Sequence, residues 1–202
     1  MLRSGRPVFD RTVNVPVSPS TRTTGMSDPR RATAVPARVR WAVESLGVRP
    51  DDQILEIGCG NGVAMSLICD RLVRGRITAI DRSASAIARA SLRNAAHIAA
   101  GKALLRKVDL SALSLPGTRF DVVFAINVNL FWVPSAATEL TIIRNHLRPG
   151  GVCRLFYETP TDDGRANQIA QRVAASLRAH GFSPVTVDAA SPRLVGITGH
   201  AP

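Results

Sequence analysis

Short apolar runs recur along this 202-residue chain and alternate with segments whose apolar residues return at helical spacing. The run Val122–Ile126 has no polar position, so a strand there must be buried on both faces. Gln53–Ile57, Arg76–Ile80, Ala103–Val108, Phe120–Ile126 and Val152–Tyr157 read as five strands of this kind. Helical stretches lie before and between them: Pro36 to a cap at Gly47, Asn61–Leu72, Ser83 to about Ala100, about Ser135 to Leu147, and Arg165–His180. Strands joined through helices form a parallel sheet covered on both sides, which predicts a doubly wound α/β fold. Val185–Val187 and Leu194–Thr198 read as two more strands. Their short connection, containing Ala-Ala-Ser-Pro, leaves no room for a crossover and predicts an antiparallel hairpin.

Residues 1–32 are rich in Pro, Ser, Thr, Arg and Gly without apolar period, and are expected to be disordered. Met26 offers a second start within them. The folded domain is expected over 33–202. No apolar run approaches the roughly 18 residues of a membrane span, and no secretory h-region is seen, so a cytoplasmic location is expected. Cys59, Cys69 and Cys153 are odd in number and lack paired spacing, which supports neither a disulfide framework nor a zinc site.

The formal net charge is +11, and only Lys102 and Lys107 among the 26 basic residues are lysines. About half of the excess falls in residues 1–50, where nine arginines face three acids. Basic excess favours polyanionic partners. No RNA-binding signature accompanies it, however, and aromatics make up only 4% of the chain. A small-molecule partner is favoured over nucleic acid on these grounds.

The densest motif is Ile54-Leu55-Glu56-Ile57-Gly58-Cys59-Gly60-Asn61-Gly62, where a buried strand turns into a helix. Glycines at 58, 60 and 62 permit a tight turn and are expected to bring backbone N–H groups against a ligand. In a doubly wound sheet this turn lies where ligands bind, at the carboxyl end of the first strand. A dinucleotide fingerprint would require glycine at position 63, which is Val63. Glu56 would also be ill-placed beside a pyrophosphate and better suits a cationic group.

With an acid followed by GxGxG, the sequence resembles the class I S-adenosylmethionine-dependent methyltransferase family over roughly residues 36–202. Phe120-Asp121-Val122-Val123 and Leu147-Arg148-Pro149-Gly150-Gly151 look like further family landmarks. The resemblance implies S-adenosyl-L-methionine as cofactor and a seven-stranded sheet in the order 3-2-1-4-5-7-6. It places Glu56, Gly58, Cys59, Gly60 and Gly62 at the cofactor's amino-acid end, Asp81 and Arg82 at the ribose, and Asp109 and Leu110 at the adenine. Asn127 is expected near the sulfonium. The family's adenine amino-methylation signature is absent, since Asn127-Val128-Asn129-Leu130 stands in its place.

Strand topology sends His97, His146 and His180, at helix ends, and His200, after the last strand, to the edge away from the site. No histidine base is therefore expected. Asn129, Tyr157 and Glu158 remain as candidate catalytic groups, with Phe131 and Trp132 as an acceptor wall or apolar anchors. No spacing demands a metal, because a sulfonium already supplies the electrophile. The expected function is methyl transfer to an oxygen or nitrogen of a small molecule. An RNA or protein acceptor, or a silent cofactor-binding scaffold, are the alternatives.

Overall fold

A computed structural model describes residues 35–131 and 136–202. The segment expected to be disordered, and Trp132, lie outside the described residues. Seven strands form one sheet in the order β3-β2-β1-β4-β5-β7-β6. They are β1 (Gln53–Ile57), β2 (Arg76–Asp81), β3 (Ala103–Lys107), β4 (Phe120–Ile126), β5 (Leu147–Glu158), β6 (Val185–Ser191) and β7 (Leu194–His200). β1 to β5 run parallel, and β7 is antiparallel to both β5 and β6.

Alternation along the strands feeds two cores. Leu55, Ile57, Val123, Ala125 and Leu155 point to one face, where helices α5 (Ala137–His146) and α6 (Arg165–Ala179) bring Leu140, Ile143, Val173 and Leu177. Ile54, Ile77, Val122 and Phe124 point to the other, against α1 (Ala37–Ser45), α2 (Val63–Cys69) and α3 (Ala84–Arg93). Each fully buried aliphatic side chain stabilises such a core by roughly 1.5–3 kcal/mol. The strand order reverses between β1 and β4, which opens a crevice at their carboxyl ends.

Three local details differ from the sequence reading. The long helix after Ser83 breaks at Asn94, and α4 (Ala95–Ala99) follows as a separate turn. Asn94 is fully buried, and its amide donates to the carbonyls of Ala90 and Gly62, at 2.9 and 3.0 Å. This side-chain bonding to the preceding turn competes with helix continuation. The second helix is shorter than Asn61–Leu72, because left-handed Gly62 stands at its N-cap. β5 begins five residues early. Leu147 pairs with Phe120 and Val152 with Val122, so Arg148–Gly151 bulge opposite Asp121, whose carboxylate pairs with Arg148.

Candidate active site

A cleft of about 540 Å³ lies over the carboxyl ends of β1, β2 and β4 and the segment after β3. Gly58, Asp81, Arg82, Asp109, Leu110, Asn127 and Asn129 line it, as the sequence leads one to expect. Ile57 lines it as well, and Ile80, Val108, Ile126, Val128 and Leu130 complete the wall. Those five carry no polar signal, and only their positions at or just after strand ends could have marked them.

The glycine loop is built differently from the expectation. The N–H groups of Gly58 and Cys59 both donate to the Ile80 carbonyl, at 2.8 and 3.1 Å, and that of Gly62 donates to Cys59. Gly60 N–H donates to Asp81 Oδ2 at 3.0 Å. Four of the loop's N–H donors are thus spent on β2 and on the loop itself. Asp81 is the brace between the two: its Oδ1 also accepts from Ser83 N–H at 2.8 Å, at the start of α3. Cys59 points into the core, where burial, Glu56 and Asp81 push its thiol up to about 12. It is a small buried side chain without a nucleophile's character. Burial also raises Cys69 to about 11 and Cys153 to about 12.

Glu56 is 4% exposed, and its Oε2 has no hydrogen-bond partner among the described residues. Burial, and secondly the negative charge of Asp81, raise its carboxyl from 4.5 to about 8. An unpaired buried carboxyl fits a site that receives a cationic group. The Cβ position of Gly60, at φ +55°, meets nothing within 4 Å, so open space adjoins the loop where close approach is needed. Asp109 caps a short 3-10 turn (Leu110–Ala112), and its Oδ1 takes both the N–H and the hydroxyl of Ser111. These bonds hold its carboxyl below the usual range, aided by Arg82.

The acceptor-side candidates separate. Asn129 is exposed on the cleft wall. Glu158 is half-buried and paired with Arg38 of α1 at 3.1 Å, a partner no sequence signal indicates. Tyr157 is a correction: its ring lies in the core, its hydroxyl donates to the Val128 carbonyl at 3.2 Å, and burial pushes its ionisation far up. A phenol held protonated in this way does not serve as a base. Phe131 is corrected too, for at 1% exposure it anchors the core beneath the loop and cannot wall an acceptor. None of the four histidines lines the cleft. His146 and His180 sit at the ends of α5 and α6, and His200 pairs with Val152 at the start of β5, the far edge. No group of three or more metal-binding side chains occurs among the described residues.

A profile described as "Methyltransferase domain" matches residues 54–151, which span β1 through the start of β5 and hence the whole cleft. A trans-aconitate 2-methyltransferase of Deinococcus radiodurans is 28% identical over 176 residues, covering 81% of this chain and 63% of that protein. One from an Azoarcus species is 32% identical over 118 residues, covering 57% and 44%. Over this span the chain is similar to methyltransferases. It spans less than two thirds of the length of these relatives, 63% and 44%. The fold is shared with the N-methyltransferase NodS of Bradyrhizobium japonicum, solved with S-adenosyl-L-homocysteine. The TM-score is 0.62 at 20% identity, over 88% of this chain and 94% of that one. No helix among its described residues is long and apolar enough to cross a membrane.

Proposed function

We propose that the protein transfers a methyl group from S-adenosylmethionine to an oxygen or nitrogen of a small-molecule acceptor. The observation that carries this reading is the buried Glu56 carboxyl with its unpaired Oε2, beside a glycine loop with open space at Gly60. When bound, the cofactor supplies a sulfonium-activated methyl group for in-line displacement. Glu56 is assigned to its ammonium end, Asp81 and Arg82 to the ribose, Asp109 and Leu110 to the adenine, and Asn127 to the neighbourhood of the methyl group. Asp81 also keeps the loop in shape through Gly60 N–H. The chain's main contribution is alignment of the acceptor, worth up to roughly 7–11 kcal/mol in well-oriented reactions. Asn129 remains available to orient an acceptor, and Glu158 to orient it or take its proton. Trans-aconitate, named in the relatives, is a small carboxylate-bearing molecule, and this supports a small acceptor. Radiolabelled methyl transfer against a metabolite panel tests the reading. Cofactor binding without turnover on any acceptor class would favour a silent scaffold instead.

An RNA acceptor is favoured by one observation. Residues 71–107 carry nine Lys and Arg against Asp81 alone, whereas residues 108–202 are nearly balanced, eight against seven. Arg82, Arg89, Arg93, Arg106 and Lys107 are exposed in this segment. RNA binding that weakens steeply with salt, together with methyl transfer to that RNA, would select this second reading.

A further inference from the structure

We infer that Tyr157 is a positioning residue of the methyl-transfer site, whose hydroxyl clamps the segment Asn127–Val128 against the glycine loop. The inference rests on the proposed cofactor site and adds the means by which its wall is held. Three consecutive residues of β5 grip two consecutive residues after β4. Asn127 N–H donates to the Phe156 carbonyl at 2.8 Å. Glu158 N–H donates to Asn127 Oδ1 at 2.8 Å, and the Tyr157 hydroxyl donates to the Val128 carbonyl at 3.2 Å.

The grip holds a left-handed residue. Asn127 is the one non-glycine residue among those described with positive φ, +55°. Among non-glycine residues Asn takes this left-handed conformation most readily, and here its surroundings hold it there. Val128 follows it directly in the chain. Its Cγ2 lies only 2.6 Å from where a Cβ on Gly58 would stand, so the valine packs directly on the first glycine of the motif. A path of contact therefore runs from Tyr157 through Val128 to Gly58, and both Gly58 and Val128 line the cleft. Because burial keeps the Tyr157 phenol protonated, its hydroxyl remains a donor throughout the working pH range. Asn127 Oδ1 is committed to Glu158, while Nδ2 has no partner among the described residues and is the end of that amide left for a ligand.

The test compares binding of S-adenosyl-L-homocysteine by calorimetry to the unaltered protein, Tyr157→Phe, Asn127→Gly and the double variant, with a melting curve for each. Tyr157→Phe retains the ring and its packing but loses the donor, and Asn127→Gly frees the left-handed φ while losing the Oδ1 acceptor. The expected result is a three- to tenfold weaker affinity in Tyr157→Phe, as loss of one hydrogen bond would give. The double variant should lose less than the product of the single losses, as expected of groups acting as one unit. A purely structural tyrosine would lower the melting temperature and leave the affinity of the folded protein within twofold. That result, or multiplicative losses in the double variant, overturns the clamp. Failure of the unaltered protein to bind at all would overturn the cofactor reading itself, and the clamp with it.

Discussion

Glu56 is the residue whose physics is most exposed to measurement. Its folded-state carboxyl titrates near 8, against 4.5 ordinarily, so it favours the fold only while protonated. That stabilisation is complete below about 4.5 and is lost as pH rises through about 8. The melting temperature of the cofactor-free protein should therefore decline over this window, and Glu56→Gln should flatten the decline. An ammonium group arriving beside Glu56 favours the charged form and expels its proton. Calorimetry at pH 7 in buffers of differing ionisation heat should then record release of about one proton on binding S-adenosyl-L-homocysteine. Glu56→Gln should record none. Asp81 works differently, by holding the loop through Gly60 N–H and α3 through Ser83 N–H. Hydrogen bonds to a charged group contribute roughly 1.5–3 kcal/mol each. Asp81→Ala should accordingly weaken cofactor affinity at least about tenfold, and unchanged affinity in a folded variant would place the ribose elsewhere.

At the scale of elements, the glycine loop separates stability from binding. A Cβ at Gly62 would lie 2.5 Å from the buried Asn94 amide and 2.9 Å from Ala90, at φ +73°. A Cβ at Gly60 meets no atom of the protein. Gly62→Ala should therefore cost about 2–4 kcal/mol of stability from overpacking and left-handed strain together. Gly60→Ala should cost only about 1 kcal/mol, from strain, yet lose most of its cofactor affinity. Denaturant melts and calorimetry on the two variants check this crossing of effects. The same loop shows what a sequence can and cannot disclose. β1 and β4 could be bounded from sequence to the residue because strands buried on both faces leave near-continuous apolar runs, and Asp81 and Asp109 follow because they lie at or just after strand ends. The break at Asn94 was not legible, since the amide that bonds back to Ala90 is also held by the Gly62 carbonyl, 32 residues earlier. Nor was the orientation of the loop's N–H groups, which depends on the Ile80 carbonyl. Tyr157 reads as a functional aromatic, and Phe131 as either an acceptor wall or an apolar anchor, because chain position does not reveal which side of a sheet end a ring will take. Burial decides that, and it put both in the core.

For the molecule as a whole, the switch in strand order assigns chemistry to one edge of the sheet. The parallel strands deliver Glu56, Asp81 and Asn127 to that edge, while the returning helices and antiparallel β7 carry His146, His180 and His200 away from it. Proton transfer by a histidine is thus disfavoured by connectivity, and Gln at each of these positions should leave turnover within a few-fold. Loss of a true general base would cost about 10²-fold or more. The central claim is that this cleft is built for S-adenosylmethionine and not for a dinucleotide, the alternative that Val63 and the buried Glu56 argue against. Titration calorimetry of the full chain with S-adenosyl-L-homocysteine and with NAD tests it most directly. Saturable one-site binding of S-adenosyl-L-homocysteine, with no detectable heat from NAD at the same concentrations, is the predicted result; comparable binding of NAD, or none of S-adenosyl-L-homocysteine, would contradict it.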